Sequence, residues 1–161
     1  MLDLGTTFLQ SVERSPHALA LVDSGVRLTY AQWHEQIART VAGLQRLGLG
    51  RGDRLLSVLQ NRHQAATLHW ACQFLGAVIV PLNWRAKAEE IDYCLADAEA
   101  RAVFFDASSE EATRASVGAR VLPRIGVGPL EGRDATGDWE SLLAGPTAFL
   151  QAAADAEDLS L

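Results

Sequence analysis

Lysine is almost missing from this sequence of 161 residues: Lys87 stands alone among 14 basic residues, against 20 acidic ones, for a formal net charge of −6. The arginines that make up the rest are scattered, so the chain has no basic face to offer the phosphates of a nucleic acid. Cysteine is nearly as scarce. Cys72 and Cys94 make neither a disulfide framework nor a zinc motif of CxxC spacing. Each sits in an apolar-periodic segment, which predicts buried, reduced thiols. No run approaches the roughly 18 consecutive apolar residues of a membrane span. The opening MLDLGTTFLQ lacks both the basic n-region and the long apolar h-region of a secretory signal. The expectation is a soluble, cytoplasmic protein.

What is present is ordinary globular material, 48% hydrophobic and 21% charged. A chain of this length buries roughly 70% of its unfolded surface. GTTFLQSVERSP reads as a first helix, with Phe8, Leu9 and Val12 at helical spacing. ALALVD and VRLTY pair across Ser24-Gly25 as a hairpin. Thr29 and Gln32 have the spacing of a capping box, and Trp33, Ile37, Val41, Leu44 and Leu47 then mark one helix face that ends at Gly48. DRLLSVLQ, AVIVPL and RAVFFD are near-continuous apolar runs, the signature of strands covered on both faces. Between them lie a helix from a second capping pair, Asn61 and Gln64, through Leu75, and a helix over KAEEIDYCLADAE with Ala88, Ile91 and Leu95 inward. A weaker helix and two short strands are expected before about Val127, a surface loop over about 128–138, and a short helix in DWESLLAG. Strands alternating with helices predict an α/β fold, a mostly parallel sheet with helices packed on it.

The stretch GLGRGDRLLSVLQN, Gly48 to Asn61, invites a phosphate-loop reading. A phosphate cradle needs its glycines after a strand and before a helix, so that the helix N-terminus faces the anion. Here the order is helix, glycines, strand. Gly48, Gly50 and Gly52 make G-x-G-x-G, and no Lys-Ser or Lys-Thr follows. The tripeptide Arg51-Gly52-Asp53 has no export signal to support an adhesion role. The stretch is read as a helix-to-strand bend.

Its neighbours carry more. LTYAQW, LQRLGLGRGDRLLSVLQN and FLGAVIVPLNWRAKAEEIDYCLADAEARAVFFD, in this order and spacing from about Thr6 to Asp106, resemble the N-terminal portion of adenylate-forming enzymes. That superfamily holds acyl- and aryl-CoA synthetases, luciferases and amino-acid-adenylating domains. PLNWR, Pro81 to Arg85, is similar to the acyl-CoA synthetase branch, since adenylating domains usually carry Asp where this chain has Asn83. The resemblance implies activation of a small-molecule carboxylic acid by ATP and Mg²⁺ to an acyl-adenylate, followed by transfer to CoA. It also places the Ser/Thr/Gly-rich phosphate loop with its Lys, and the C-terminal domain, beyond Leu161. Residues 1–161 are therefore expected to be an incomplete N-terminal subdomain, inactive alone, whose partner is the remainder of a ligase chain. A homodimer is left open.

The resemblance brings no catalytic or metal-ligating residue into this chain, and Lys87, in the first turn of a helix, matches neither family lysine. It brings one site residue: Arg85, as a contact to a CoA phosphate, which an arginine suits because it is always charged and can donate two N–H groups at once. The alternative is a surface arginine leading into a helix. Other residues read as structural. His63 and His69, six apart, do not share a helix face as metal ligands. Trp33 and Trp70 are expected as packing aromatics, and Trp84 either packs or stands at the surface beside Arg85. Glu89-Glu90 and Glu110-Glu111 are read as solvated helix starts. Two rivals differ in class. One is a non-catalytic binding or assembly module of the same fold, which would lack the exposed apolar patch of a piece of a larger protein. The other is a nucleotide-dependent oxidoreductase, which lacks its glycine fingerprint here.

Overall fold

The computed structural model describes residues 4–132 and 134–151. After helix α1 (Leu4–Arg14), strands β1 (Leu19–Asp23) and β2 (Val26–Thr29) form the expected antiparallel hairpin. Helix α2 (Tyr30–Arg46) opens on the capping box: the Gln32 N–H donates to Thr29 Oγ1 at 3.3 Å and the Thr29 N–H donates to Gln32 Oε1 at 2.9 Å. Next come β3 (Arg54–Val58), α3 (His63–Leu75), β4 (Val78–Pro81), α4 (Ala88–Asp97) and β5 (Val103–Phe105). The chain closes with α5 (Glu110–Ala115), a 3₁₀ turn (Ala119–Val121), β6 (Arg124–Gly126), β7 (Gly137–Asp138) and α6 (Trp139–Leu143).

The five later strands make one sheet in the order β4-β3-β5-β6-β7, and every pairing is parallel. Alternation along the strands divides the core in two, because successive side chains leave a strand on opposite faces. Leu55, Phe104 and Ile125 pack with Phe8, Ile37, Leu44 and Leu68 on the side of α2 and α3. Leu56, Val58 and Val103 pack with Ile91 and Leu95 of α4. Trp33 and Trp70 meet edge to face with centroids 6.3 Å apart, Phe8 touches both, and the Trp33 indole N–H donates to Thr67 Oγ1 at 3.0 Å. They are packing aromatics, as read.

Several expectations need correction. Asn61 does not cap α3. The N-cap is Arg62, which makes no side-chain cap bond, and Gln64 Oε1 accepts from Arg62 Nε at 2.9 Å. The cap comes from the hairpin instead: Asp23 Oδ2 accepts the His63 N–H at 2.8 Å and faces His63 Nδ1 at 3.1 Å. Of the two short strands expected by about Val127 only β6 forms, and a 3₁₀ turn precedes it. Glu110 is not solvated. It is 7% exposed, and its carboxylate accepts the N–H groups of Glu131 and Gly132 at 2.9 and 2.6 Å, which offsets its burial. Cys94 is only half-buried, whereas Cys72 is enclosed and burial pushes its thiol up to about 12. Within the segment read as a loop, Gly137–Asp138 forms β7 beside β6. The acid-rich tail after Gln151 lies outside the described residues.

Candidate functional site

A parallel sheet offers ligands the crevice beyond the carboxyl ends of its strands. Here a cleft of about 520 Å³ opens beyond the ends of β3 and β4, lined by Ser57, Asn61, His69, Asn83, Trp84 and Arg85 among others. Its two walls are built differently.

One wall is the segment after β3. The carboxylate of Asp106, 2% exposed, accepts the Gln60 N–H at 3.1 Å and the Ser108 N–H at 3.0 Å. Arg62 Nη1 donates to the Val127 carbonyl at 3.0 Å and lies 3.5 Å from Asp106 Oδ2. With the Asp23 cap on α3, these bonds fix residues 60–63 from three separate elements. His69, two turns further along α3, reaches the cleft as a half-buried imidazole. Desolvation holds its pKa below the usual histidine value, so it is neutral at physiological pH.

The other wall is the loop after β4. The Leu82 N–H donates to the Ser57 carbonyl at 2.9 Å, continuing the strand pairing past Pro81. The chain then turns. Asn83 Oδ1 accepts the Arg85 N–H at 2.9 Å and the Asn83 carbonyl accepts the Ala86 N–H at 2.8 Å, a side-chain and a backbone bond closing the same turn. Buried Ala86 anchors the turn in the α4-side core. The Lys87 N–H donates to Glu90 Oε2 at 2.8 Å and α4 begins. Trp84 is half-buried and Arg85 exposed, with the Arg85 Cζ 3.8 Å over the Trp84 ring centroid. Arg85 is the charged residue among those lining the cleft, and no carboxylate lines it. Among the described residues no acid lies within ion-pair distance of this guanidinium, whereas Arg39, Arg54 and Arg101 each hold a carboxylate at 2.8, 2.6 and 2.8 Å.

The two histidines noted in the sequence part company: His63 is engaged by Asp23, and His69 faces the cleft. Lys87 is exposed at the start of α4. The glycine stretch is the bend it was read to be. Gly48 and Gly52 take φ of 79° and 80°, and the bend lies before β3, at the opposite end of that strand from the cleft. Sequence reasoning missed Ser57, Asn61 and His69 as cleft residues. For Ser57 a signal existed, as the one polar residue inside an apolar strand.

The family model of the AMP-binding enzymes matches residues 8–156. The chain belongs to the AMP-binding enzyme family. Among relatives, it is 34% identical over 131 residues to a feruloyl-CoA synthase of Amycolatopsis sp, a match covering 81% of this chain and 26% of the relative. It is 33% identical over 111 residues to the long-chain-fatty-acid–CoA ligase FadD13 of Mycobacterium tuberculosis, covering 68% of this chain and 22% of the relative. Among solved structures, the N-terminal domain of FACL13 from Mycobacterium tuberculosis superposes with a TM-score of 0.77 at 27% identity, covering 98% of this chain and 40% of that one. A benzoate CoA ligase from Burkholderia xenovorans LB400 superposes at 0.86 with 19% identity, covering 99% of this chain and 32% of that one, and so speaks for the fold. The chain spans about a quarter of the length of the curated relatives it matches.

Proposed function

We propose that this AMP-binding family chain forms the N-terminal α/β part of an acyl- or aryl-CoA synthetase. Such a ligase activates a carboxylic acid with ATP through an acyl-adenylate and passes the acyl group to CoA. Within it, Arg85 holds a phosphate of CoA. What supports the reading is Arg85 itself: a permanent cation at the carboxyl end of a parallel sheet, in a cleft with no acid on its walls, with no carboxylate paired to it. A guanidinium with free in-plane N–H groups matches the oxygens of a phosphate two at a time.

The residues present fit CoA better than they fit the adenylation chemistry. Among the described residues no group of three His, Cys, Asp or Glu side chains gathers to hold Mg²⁺. The one lysine stands exposed at the start of a helix and matches neither lysine of the family. On this reading ATP and Mg²⁺ belong to the remainder of the ligase. The 161-residue chain is expected to show no carboxylate-dependent ATP–pyrophosphate exchange, while a ligase polypeptide that carries it does. In that polypeptide Arg85→Ala raises the KM for CoA at least roughly tenfold, the loss of a charge-assisted pair, and leaves the exchange reaction unchanged. Exchange by the chain alone, or an unmoved KM for CoA, overturns the corresponding half of the reading.

A further inference from the structure

An arginine carries its charge at the end of a flexible stem, and holding that stem in one geometry costs rotamer entropy at the moment of binding. In this cleft the cost is met beforehand. The Arg85 Cζ stands 3.8 Å from the centroid of the Trp84 ring, a separation that only a position over the ring face allows. A guanidinium at that distance over the ring face is in cation–π contact with it. The ring is itself held: Trp84 is half-buried, and the turn carrying it is closed by the bonds from Asn83 to Arg85 and Ala86, with Ala86 7% exposed in the core. Nothing else among the described residues engages the guanidinium.

We infer that Trp84 is a positioning residue for CoA recognition: its ring holds the Arg85 guanidinium over its face, so that Trp84 and Arg85 read a phosphate of CoA as one unit. The inference rests on the CoA reading of Arg85 and deepens it. Three consequences separate it from a structural role for Trp84. The effect of the ring passes entirely through Arg85. An aromatic face suffices, so phenylalanine replaces tryptophan. A lysine at position 85 does not replace arginine, because an ammonium has no plane to lie along the ring.

The test uses a ligase polypeptide that carries the chain, with CoA as the probe, followed by NMR at the Arg85 Nε–H and the Trp84 indole N–H. Without ligand, the Arg85 side-chain protons are expected upfield through the ring current, and Trp84→Ala removes that displacement. On titration with CoA both signals move with one dissociation constant. Trp84→Ala raises that constant roughly two- to fivefold, the size of an exposed cation–π contact, and Trp84→Phe restores most of it. Arg85→Ala and Arg85→Lys each weaken binding at least roughly tenfold, and adding Trp84→Ala to Arg85→Ala changes nothing more.

The failures are distinguishable. If CoA moves neither signal in the wild-type ligase polypeptide, the CoA reading of Arg85 falls and takes this inference with it. If CoA binds through Arg85 but Trp84→Ala leaves the constant alone, only the inference falls. If Trp84→Ala weakens binding further in the Arg85→Ala background, the ring touches CoA directly and the positioning role is overturned. A variant that unfolds is recognised by its amide spectrum, and Trp84→Phe then carries the comparison.

Discussion

Strand β3 (Arg54–Val58) has a conspicuous loop before it and a cleft beyond it, and the two ends dispose of their hydrogen-bond donors in opposite ways. Before the strand, the glycine bend is closed upon itself. Asp53 takes the Gly50 N–H and the Arg101 guanidinium, both at 2.8 Å. The Gly52 N–H goes to the Gly76 carbonyl at 2.7 Å, and Arg54 is spent on the Ala98 carbonyl and Glu99. Beyond the strand, the loop leading to α4 closes its turn through the N–H groups of Arg85 and Ala86 and leaves the Arg85 side chain facing a cleft with no acid on its walls. By composition the bend looks like the anion site. By accounting of donors it is the end with least left to offer. A loop that recognises something keeps groups in hand, whereas a loop that only joins elements consumes them.

The comparison breaks most completely if the strand between the two ends is loosened. Leu56 is wholly enclosed and pairs in register with Val80 and Val103. Leu56→Ala is expected to cost about 3 kcal/mol, within the range for buried leucines, and to lower the urea midpoint with no change in slope. Both ends should be lost in one transition. A cost below about 1 kcal/mol, or two separate transitions, would show that the ends do not share a core.

A smaller effect isolates the closed end. The Arg101 hydrogen bond is the main cause that holds the Asp53 carboxyl below its usual pKa, with the Gly50 N–H helping and burial working against both. A carboxyl whose pKa is depressed on folding stabilises the native state fully at pH above its unfolded value of about 3.9. That contribution is lost as pH falls through the lower folded value. Asp53→Ala is expected to cost about 1–2 kcal/mol near neutrality. Because Asp23, Asp92 and Asp138 are depressed as well, the measurement is the difference in melting temperature between wild type and Asp53→Asn from about pH 6 to pH 2. The gap should close toward the acid end. A gap independent of pH sinks the assignment. CoA binding at the far end of the strand should not move.

Much of the fold was legible because its signals are short-ranged. The Thr29–Gln32 box, the helix face from Trp33 to Leu47 and the apolar strands are patterns within a few residues, and the parallel sheet follows from their alternation. What escaped is carried by partners far along the chain. Asn61 and Gln64 have capping spacing, yet Asp23, 40 residues away, holds the first N–H of α3. Glu110 looks like a solvated helix start, yet its carboxylate serves N–H groups 21 and 22 residues on. The cleft was legible to the same extent. Arg85 could be picked out because its neighbours Pro81 to Trp84 are contiguous with it. The opposite wall, with Asn61 and His69, is brought to it by the pairing of β3 with β4, and no local pattern announces that pairing.

The smallest expected effect is the one that decides what the open end is for. Arg85 is exposed, has no carboxylate partner among the described residues, and gives its turn a backbone N–H, which alanine would keep, and one ring contact with Trp84. Arg85→Ala should therefore change the free energy of unfolding by less than about 1 kcal/mol, no more than an exposed cation–π contact. Asp53→Ala is the mirror image, costly to stability and silent to CoA. If Arg85→Ala proves as destabilising as Asp53→Ala, its guanidinium is a structural group after all and the two ends of β3 are alike. If it is neutral in stability while CoA is lost, the donors left free at this end are there for a ligand, because a side chain that contributes nothing to the fold cannot be explained by the fold.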